Sequence, residues 1–226
     1  MIEGSKTAIR ALLPKNAFAR GVSLLVGGTA SAQILLILSA PILTRLYTPD
    51  DFGLLAVYVG LLALIGVISS LRYELAIPLA EDDVEAANTV VLCLLLVAVS
   101  TACSAILVST FGKSIGEIWG VPVLANYLWV LPAGVLLSGA YKVFNYWSVR
   151  TKLFRTIAQT KLTQALATLL FQLMTFKLGS IGLLLGQVAG QSMGASSLAR
   201  SALESKAFSQ VSWVGLKRAA VRYRRF

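Results

Sequence analysis

Residues 21–71 read GVSLLVGGTASAQILLILSAPILTRLYTPDDFGLLAVYVGLLALIGVISSL. This stretch consists of two apolar runs, 21–43 and 52–71, joined by a short polar segment. At about 1.5 Å per residue, a helix of about 20 residues crosses a hydrocarbon core of about 30 Å. The two runs therefore predict two transmembrane helices joined by a short turn.

The polar segment between these runs carries the signals of a helix start. Thr48 suits the N-cap, Pro49 the first helical position, and Asp51 the acidic position of a capping box. These residues predict a tight turn followed at once by the second helix. We also expect that helix to continue past Arg72 and to stop before Pro78, because the residue before a proline disfavours helical geometry.

Four more apolar runs follow, at 89–111, 121–141, 162–178 and 181–198. The chain is therefore predicted to be all-α, a polytopic bundle of six transmembrane helices. The fifth run is the most polar, and we expect one side of it to face protein or water. Its polar residues are Thr163, Gln164, Thr168, Gln172 and Thr175.

The basic residues set the orientation, because short cytosolic loops are enriched in Lys and Arg. With six spans and a cytosolic N-terminus, the outer side keeps only Arg45, Lys113 and Lys177 of the 20 basic residues. The other 17 fall on the cytosolic side: Lys6, Arg10, Lys15, Arg20, Arg72, Lys142, Arg150, Lys152, Arg155, Lys161, Arg200, Lys206, Lys217, Arg218, Arg222, Arg224 and Arg225.

This partition predicts three parts with both termini in the cytosol. They are a basic N-terminus (1–20), a six-helix bundle (21–199) and a basic cytosolic segment (200–226). Residues 142–161 are then a cytosolic loop, with Tyr141, Tyr146 and Trp147 in the interfacial aromatic belt that flanks membrane spans.

Composition excludes several classes of function. The chain is 57% hydrophobic, with a mean hydropathy of +0.77, which is too apolar for an ordinary soluble domain. Its net charge of +10 is explained by cytosolic loops that meet anionic lipids, so no nucleic-acid partner is expected. The chain has no His and no ligand cluster with metal spacing, so neither metal nor cofactor is expected. Without a Walker A motif it is not an ATP-driven pump.

Glycines recur every fourth residue through the sixth run, at Gly182, Gly186, Gly190 and Gly194. Such overlapping G-x-x-x-G pairs allow close approach of a neighbouring helix. Beside them lie two glutamines that can hydrogen-bond to another helix, Gln187 and Gln191. Close packing inside the bundle is the favoured interpretation, and lining a substrate path is the alternative.

Arginines stand at the ends of the first two spans. Arg20 and Arg45 bracket the first span, and Arg72 closes the second. Snorkelling to the membrane interface is the simpler interpretation. The alternative is that they face an interior vestibule and bind an anionic substrate, since the arginine fork suits phosphate.

The order of these motifs resembles a known family. The stretch 27–53, from GGTASAQ to APILTRLYTPDDFG, is similar to the first hairpin of bacterial polysaccharide-biosynthesis transporters. These are the lipid-linked O-antigen flippases and their relatives in the multidrug/oligosaccharidyl-lipid/polysaccharide exporter superfamily. The resemblance extends from about residue 20 to residue 226. Further matches are LRYELAI at 71–77, EAAN at 85–88, NYW at 145–147, and GQ at both 186–187 and 190–191.

The resemblance implies a carrier in the bacterial inner membrane that is not an enzyme. Such proteins flip undecaprenyl-diphosphate-linked oligosaccharides by alternating access between two lobes, for surface polysaccharides such as lipopolysaccharide. A cationic vestibule for the diphosphate follows, with Arg45, Arg72 and Arg20 as its candidates. The chain corresponds to the N-terminal lobe only, so 200–226 is expected to be an inter-lobe linker. Its partner is then a missing second lobe or a second copy in a homodimer.

Two alternatives to a flippase lobe stay open. One is a non-functional fragment that inserts into the membrane and transports nothing. The other is a polytopic membrane enzyme acting on polyprenyl phosphates, for which the adjacent acids Asp82 and Asp83 are the candidate pair on the cytosolic side.

Overall fold

The computed structural model describes residues 17–118, 120 and 122–223, with side chains from Gly21 onward except that of Pro122. This part of the chain contains α-helices and short 3-10 helices and no strand, so the predicted all-α membrane bundle is confirmed. The α-helices are α1 (Ala17–Leu46), α2 (Pro49–Ile68), α3 (Asp83–Ile118), α4 (Val130–Arg150), α5 (Phe154–Met174), α6 (Ser180–Leu203) and α7 (Trp213–Arg222). The 3-10 helices are Tyr73–Leu79, Pro122–Asn126, Phe176–Leu178 and Lys206–Gln210.

Three helices in the described part of the chain are long and apolar enough to cross a membrane. They are the Gly21–Leu46 part of α1, then α2 and α3. Helices α4, α5 and α6 have 21, 21 and 24 residues, which at about 1.5 Å per residue is also the length of a span. They carry more polar residues, and their passage through the membrane stays a prediction.

The turn between α1 and α2 has the predicted geometry. Helix α2 begins at Pro49, the hydroxyl of Thr48 accepts a hydrogen bond from the backbone N–H of Asp51, and the Asp51 carboxylate accepts one from the backbone of Thr48. The predicted capping box is confirmed.

Helix α6 lies at the centre of the bundle and packs against α5, α4 and α2. Helix α1 packs mainly on α5 rather than on α2, its neighbour along the chain. Helix α3 packs on α4 and on the short helix α7. Helices that follow one another along the chain are therefore not all in extensive contact.

The helix ends that share a predicted side of the membrane also meet in space. At the predicted outer end, the hydroxyl of Tyr47 donates to the carbonyl of Gln172 at 2.6 Å, and Ser180 donates to Asp51. At the predicted cytosolic end, Arg150 pairs with Asp83 at 3.1 Å. This arrangement agrees with an even number of passages.

Helix α2 ends earlier than the sequence predicts. It stops at Ile68, and the chain turns through Leu71 and Arg72, whose φ angles of 49° and 63° lie in the left-handed region. The turn is stabilised by Ser70, which donates to the carboxylate of Glu74. The prediction of one helix continuing past Arg72 is therefore wrong, because these local hydrogen bonds replace the helical ones.

Helix α4 is displaced toward the C-terminus relative to the predicted run 121–141. It begins at Val130, which places Pro132 in the first turn, where a missing N–H costs no helical hydrogen bond. It then continues to Arg150, and only Thr151, Lys152 and Leu153 separate it from α5. The prediction that 142–161 forms a cytosolic loop is wrong, because most of this segment is helical.

The predicted interfacial belt on α4 is also wrong for Trp147. Its side chain is 1% exposed, and its ring packs against Phe208 with the centroids 4.9 Å apart. Tyr141 is likewise buried. Trp147 belongs to a core cluster formed by α3, α4, α6, the 3-10 helix Tyr73–Leu79 before α3 and the 3-10 helix Lys206–Gln210 before α7.

The short helix α7 is attached to the first turns of α3. Arg222 pairs with Glu85 at 2.9 Å and also with Glu81, and the hydroxyl of Tyr223 donates to Glu85. The backbone N–H of Ser212 donates to Asn88 at 3.1 Å. These contacts connect both ends of α7 to one side of α3.

The Arg222–Glu81 pair makes the attachment of α7 dependent on pH. Hydrogen bonding from Arg222 lowers the pKa of Glu81 below its ordinary value of 4.5. A carboxylate with a lowered pKa stabilises the folded state above its ordinary pKa, and this contribution is lost as the pH falls through the lowered value. We expect the protection of the backbone amides of residues 213–222 against hydrogen exchange to decrease below about pH 4.5, after correction for the intrinsic pH dependence of the exchange rate. The variant Arg222→Gln should show low protection at every pH, and unchanged wild-type protection would contradict this prediction.

Candidate substrate-binding clefts

A cleft opens between the C-terminal end of α2, the 3-10 helix Tyr73–Leu79 and α4. We refer to it as the Lys142 cleft, and its volume is about 390 Å³. It contains two cationic groups and one carboxylate, with a tyrosine ring and an amide beside them. Its lining residues are Val67, Arg72, Glu74, Leu75, Lys142, Asn145 and Tyr146.

The position of Lys142 follows from the end of α2. The last four carbonyl groups of a helix lack helical partners and form the negative end of its dipole. The ammonium group of Lys142 donates to one of them, the carbonyl of Gly66, which also accepts from Ser69. Because Gly66 has no side chain, the lysine can approach the helix backbone directly. The cation is thereby held at the cleft inside the bundle.

A second cleft lies between α1, α5 and α6. We refer to it as the Lys161 cleft, and its volume is about 180 Å³. Amide side chains surround its single cation, whose Nζ atom lies 4.8 Å from the centroid of the Tyr141 ring. The polar lining residues are Gln33, Lys161, Gln164, Thr168, Gln187 and Gln191.

Three buried oxygen atoms at these clefts have no hydrogen-bond partner among the described residues. They are the side-chain oxygens of Tyr141, Asn145 and Gln191. A buried polar atom without a partner costs about 1–3 kcal/mol, so each one is a place where a donor from water or a ligand is favoured. Asn145 and Gln191 line the two clefts, and Tyr141, one helical turn before Asn145 on α4, contacts Lys161 through its ring.

Taken together, the two clefts have a positive balance of charge. Lys142, Lys161 and Arg72 contribute three cations, against one carboxylate from Glu74. Glu74 is buried and accepts a hydrogen bond from Ser70, and no lysine or arginine in the described chain forms an ion pair with it. Charged groups at membrane depth are retained where they face a polar cavity or a substrate path. The arrangement suits an anionic ligand that also carries hydrogen-bond donors.

The predicted arginines are not brought together. Arg45 lies in the last turn of α1 and is exposed, whereas Arg72 lies beyond the other end of α2 in the Lys142 cleft. Helix α2 has 20 residues, which separates its two ends by about 30 Å. One diphosphate cannot contact both side chains at once. The side chain of Arg20 lies outside the described residues.

The four predicted glycines of α6 lie against α5. A Cβ atom at Gly186 would lie 2.9 Å from the carbonyl oxygen of Thr168, and one at Gly190 would lie 2.9 Å from that of Gln164. At the outer end, a Cβ at Gly182 would lie 2.8 Å from the hydroxyl of Tyr47. Gly194 faces the side chain of Gln164. These backbones are too close for any side chain at the contact.

The glutamines of α6 have a different position from the one predicted. Gln187 and Gln191 line the Lys161 cleft, and the side-chain oxygen of Gln191 has no partner. The hydrogen bond that crosses between the helices comes from α5, where Gln172 donates to the carbonyl of Leu183 at 3.3 Å. Since Gln172 is buried, one side of the fifth span faces protein, as predicted.

Sequence reasoning did not identify Lys142 and Lys161 as site residues. Both were placed in a cytosolic loop, but they lie inside α4 and α5. The sequence did contain a signal that both segments are helical. No Gly or Pro interrupts α5, and between Pro132 and Arg150 of α4 the only residues of these two types are Gly134 and Gly139.

Within residues 17–118 and 122–223, no group of three His, Cys, Asp or Glu side chains could hold a metal ion.

The fold and the clefts define a polytopic, all-α membrane protein with a polar, cationic interior. The chain belongs to the polysaccharide biosynthesis protein family, whose family model matches residues 42–216. The match includes α2 to α6, both lysines of the clefts and the start of α7. Comparison with curated proteins gave no match, and neither did comparison with solved structures.

Proposed function

We propose that this chain is one lobe of a flippase that moves undecaprenyl-diphosphate-linked oligosaccharide across the bacterial inner membrane, with both chain termini in the cytosol. A role in polysaccharide biosynthesis follows from the family. The observation that supports transport is the pair of cationic clefts between the helices of the bundle. A carrier needs a polar path of this kind, because the diphosphate and sugars of its cargo are too polar to cross lipid unaided.

The chemistry of the clefts matches the head of such a substrate. Lys142, Lys161 and Arg72 would attract the diphosphate, and charge-assisted hydrogen bonds to phosphate are among the strong ones. Asn145 and Gln191 present acceptor oxygens without partners, which sugar hydroxyls can satisfy. We assign the phosphate to the cations and the first sugars to the amides.

The surface of α1 and α2 favours a second bundle as partner. Many apolar side chains on these helices are exposed, among them Ile37, Leu38 and Leu64, each at least 60% exposed. Lipid or another helical bundle can cover them. Alternating access by rocking requires two bundles around one site, so we propose that a second lobe or a second copy completes the path.

The alternative of a membrane enzyme requires the acidic pair Asp82 and Asp83 to be available for chemistry, and their contacts do not favour this. Asp83 is engaged in an ion pair with Arg150. Asp82 accepts a hydrogen bond from the backbone N–H of Glu85 at 2.7 Å, as expected of a residue at a helix start. Both carboxylates therefore have structural partners.

Removing either lysine of the clefts should reduce export. A hydrogen bond to a charged group is worth about 1.5–3 kcal/mol, so we expect Lys142→Gln and Lys161→Gln each to lower export by about tenfold or more. Arg72→Ala should have a similar effect. The measurement is surface polysaccharide in a strain that lacks its own flippase and expresses this protein together with any second lobe it requires.

The matched control is Lys113→Gln, which removes one positive charge from an exposed position at the other end of the bundle. It should leave export unchanged. Arg45→Ala tests the outer end separately, because Arg45 lies far from both clefts. Wild-type export in both cleft variants, at equal protein level in the membrane, would refute the proposed path.

A further inference from the structure

Helix α7 has two different faces. Leu216 and Ala219 are buried against the bundle. On the opposite face, Trp213, Val214 and Val221 are each about two-thirds exposed, at 67%, 66% and 65%. Ten residues with one packed side and one exposed apolar side form an amphipathic helix with an unpartnered surface.

The attachment of α7 to α3 fixes the position of this exposed surface relative to the candidate span α3. Arg222 holds one end through Glu81 and Glu85, which flank the first residue of α3. At the other end, Asn88 accepts from Ser212, and Gly215 lies so close to Asn88 that a Cβ there would be 2.6 Å from its Cγ. Because α3 is a candidate span and α7 is attached to its first turns, we expect α7 to lie near the level at which that span enters the membrane.

The exposed face of α7 combines apolar and basic side chains. Lys217 and Arg218 are exposed, and neither pairs with a carboxylate in the described part of the chain. The Nζ atom of Lys217 lies 5.9 Å from the centroid of the Trp213 ring. Among the nearby acids, Glu81 and Glu85 share the single charge of Arg222 and Asp83 pairs with Arg150, while Asp82 lines the groove between α3 and α7 together with Arg218.

We propose that the exposed face of α7 binds anionic phospholipids at the membrane surface. Tryptophan favours the headgroup level, where its ring lies in the apolar layer and its N–H remains near water. Val214 and Val221 enter the same layer, and Lys217 and Arg218 contact the negatively charged headgroups. The acidic side chains of α3 hold the helix from the protein side, so α7 connects the bundle to the lipid. This inference concerns the membrane position of α7 and does not depend on the transported substrate.

The test uses the full-length protein in lipid nanodiscs made from equal parts of phosphatidylcholine and phosphatidylglycerol. One of the two lipids carries bromine near the start of its acyl chains, which quenches nearby tryptophan fluorescence. The chain has four tryptophans, so the signal of Trp213 is the difference between the wild type and Trp213→Phe. We expect brominated phosphatidylglycerol to quench this signal more strongly, since each basic residue enriches anionic lipid locally by up to about fivefold.

Two double variants separate charge selection from simple insertion. Lys217→Gln with Arg218→Gln should make the two lipids equal quenchers, whereas Lys113→Gln with Lys177→Gln, an equal change of charge elsewhere, should preserve the difference. Equal quenching of the wild type by both lipids would overturn the anionic preference. Absence of quenching by either lipid would show that the face is turned away or covered by another copy, and would overturn the proposal altogether.

Discussion

Replacing Trp147 with alanine should lower the free energy of unfolding by about 3–5 kcal/mol, the usual cost of removing a fully buried tryptophan. Its ring is 1% exposed and lies in the core cluster where α3, α4 and α6 meet. It is the largest of the fully buried side chains in the described part of the chain. The loss would combine the apolar area of the ring with the cavity left behind.

The same substitution should also release the segment that precedes α7. The Trp147 ring contacts Phe208, which lies in the 3-10 helix Lys206–Gln210. Without this contact, the segment is anchored to the core mainly by the buried Ala207 and the partly buried Val211. We therefore expect faster amide exchange in residues 206–222, in addition to the loss of global stability.

The measurement is a titration with sodium dodecyl sulfate in detergent micelles, followed by circular dichroism. The matched control is Trp129→Ala, because Trp129 is 60% exposed at the opposite end of the same helix. Substitutions at exposed positions usually change stability by less than about 0.5 kcal/mol. Trp147→Phe should give an intermediate loss, since it retains part of the ring. Equal effects at Trp147 and Trp129 would mean that Trp147 is not a core residue.

The position of Trp147 shows why helix boundaries were harder to predict than helices. A hydropathy run marks where a segment is apolar, and for α4 it ended at Tyr141. The helix continues for nine more residues, to Arg150, because this part packs on α3 and on Tyr73–Leu79. Those contacts join residues about 70 positions apart, which no local pattern in α4 encodes.

Features that depend only on residues close together in the sequence were predicted correctly, because no long-range contact is needed to specify them. The capping box at Thr48 and Asp51 depends on residues three positions apart, so its sequence pattern is sufficient to specify its geometry. The glycine spacing of α6 is equally local. It specifies a flat helix face, and the structure places α5 against that face.

The candidate site could be predicted only in part. Arg72 was selected because it ends an apolar run, and it lines the Lys142 cleft. Lys142 and Lys161 were interpreted as markers of a cytosolic loop, since positive charge near a span end is the usual signal of topology. Deciding whether a lysine marks a loop or faces a cleft requires the helix boundary, and that boundary depends on tertiary contacts.

Replacing Gly186 with alanine should destabilise the bundle, although alanine is the better helix former. A Cβ at this position would lie 2.9 Å from the carbonyl oxygen of Thr168 and 3.2 Å from the backbone nitrogen of Gln172. Both atoms belong to the backbone of α5, so the added methyl group can be accommodated only if α5 moves. Overpacking of this kind costs about 1–3 kcal/mol.

The matched control is Gly60→Ala in α2, where a Cβ atom would meet nothing within 4 Å. There the substitution gains the helix propensity of alanine over glycine, about 0.5–1 kcal/mol, and adds no contact. The two variants make the same chemical change within helices, yet we expect opposite signs in the detergent titration. A stabilising effect at both positions would show that α5 and α6 are not in close contact.

The effect at Gly186 should also reach transport, because α5 carries the side chains of the Lys161 cleft. Thr168, whose carbonyl would meet the new methyl group, lines that cleft, and Gln164 lies one turn earlier. Moving α5 away from α6 changes the distance between Lys161 and Gln191 across the cleft. We therefore expect Gly186→Ala to lower export at equal protein level and Gly60→Ala to leave it unchanged. Loss of stability with full export would mean that the contact between α5 and α6 supports the fold without shaping the substrate path.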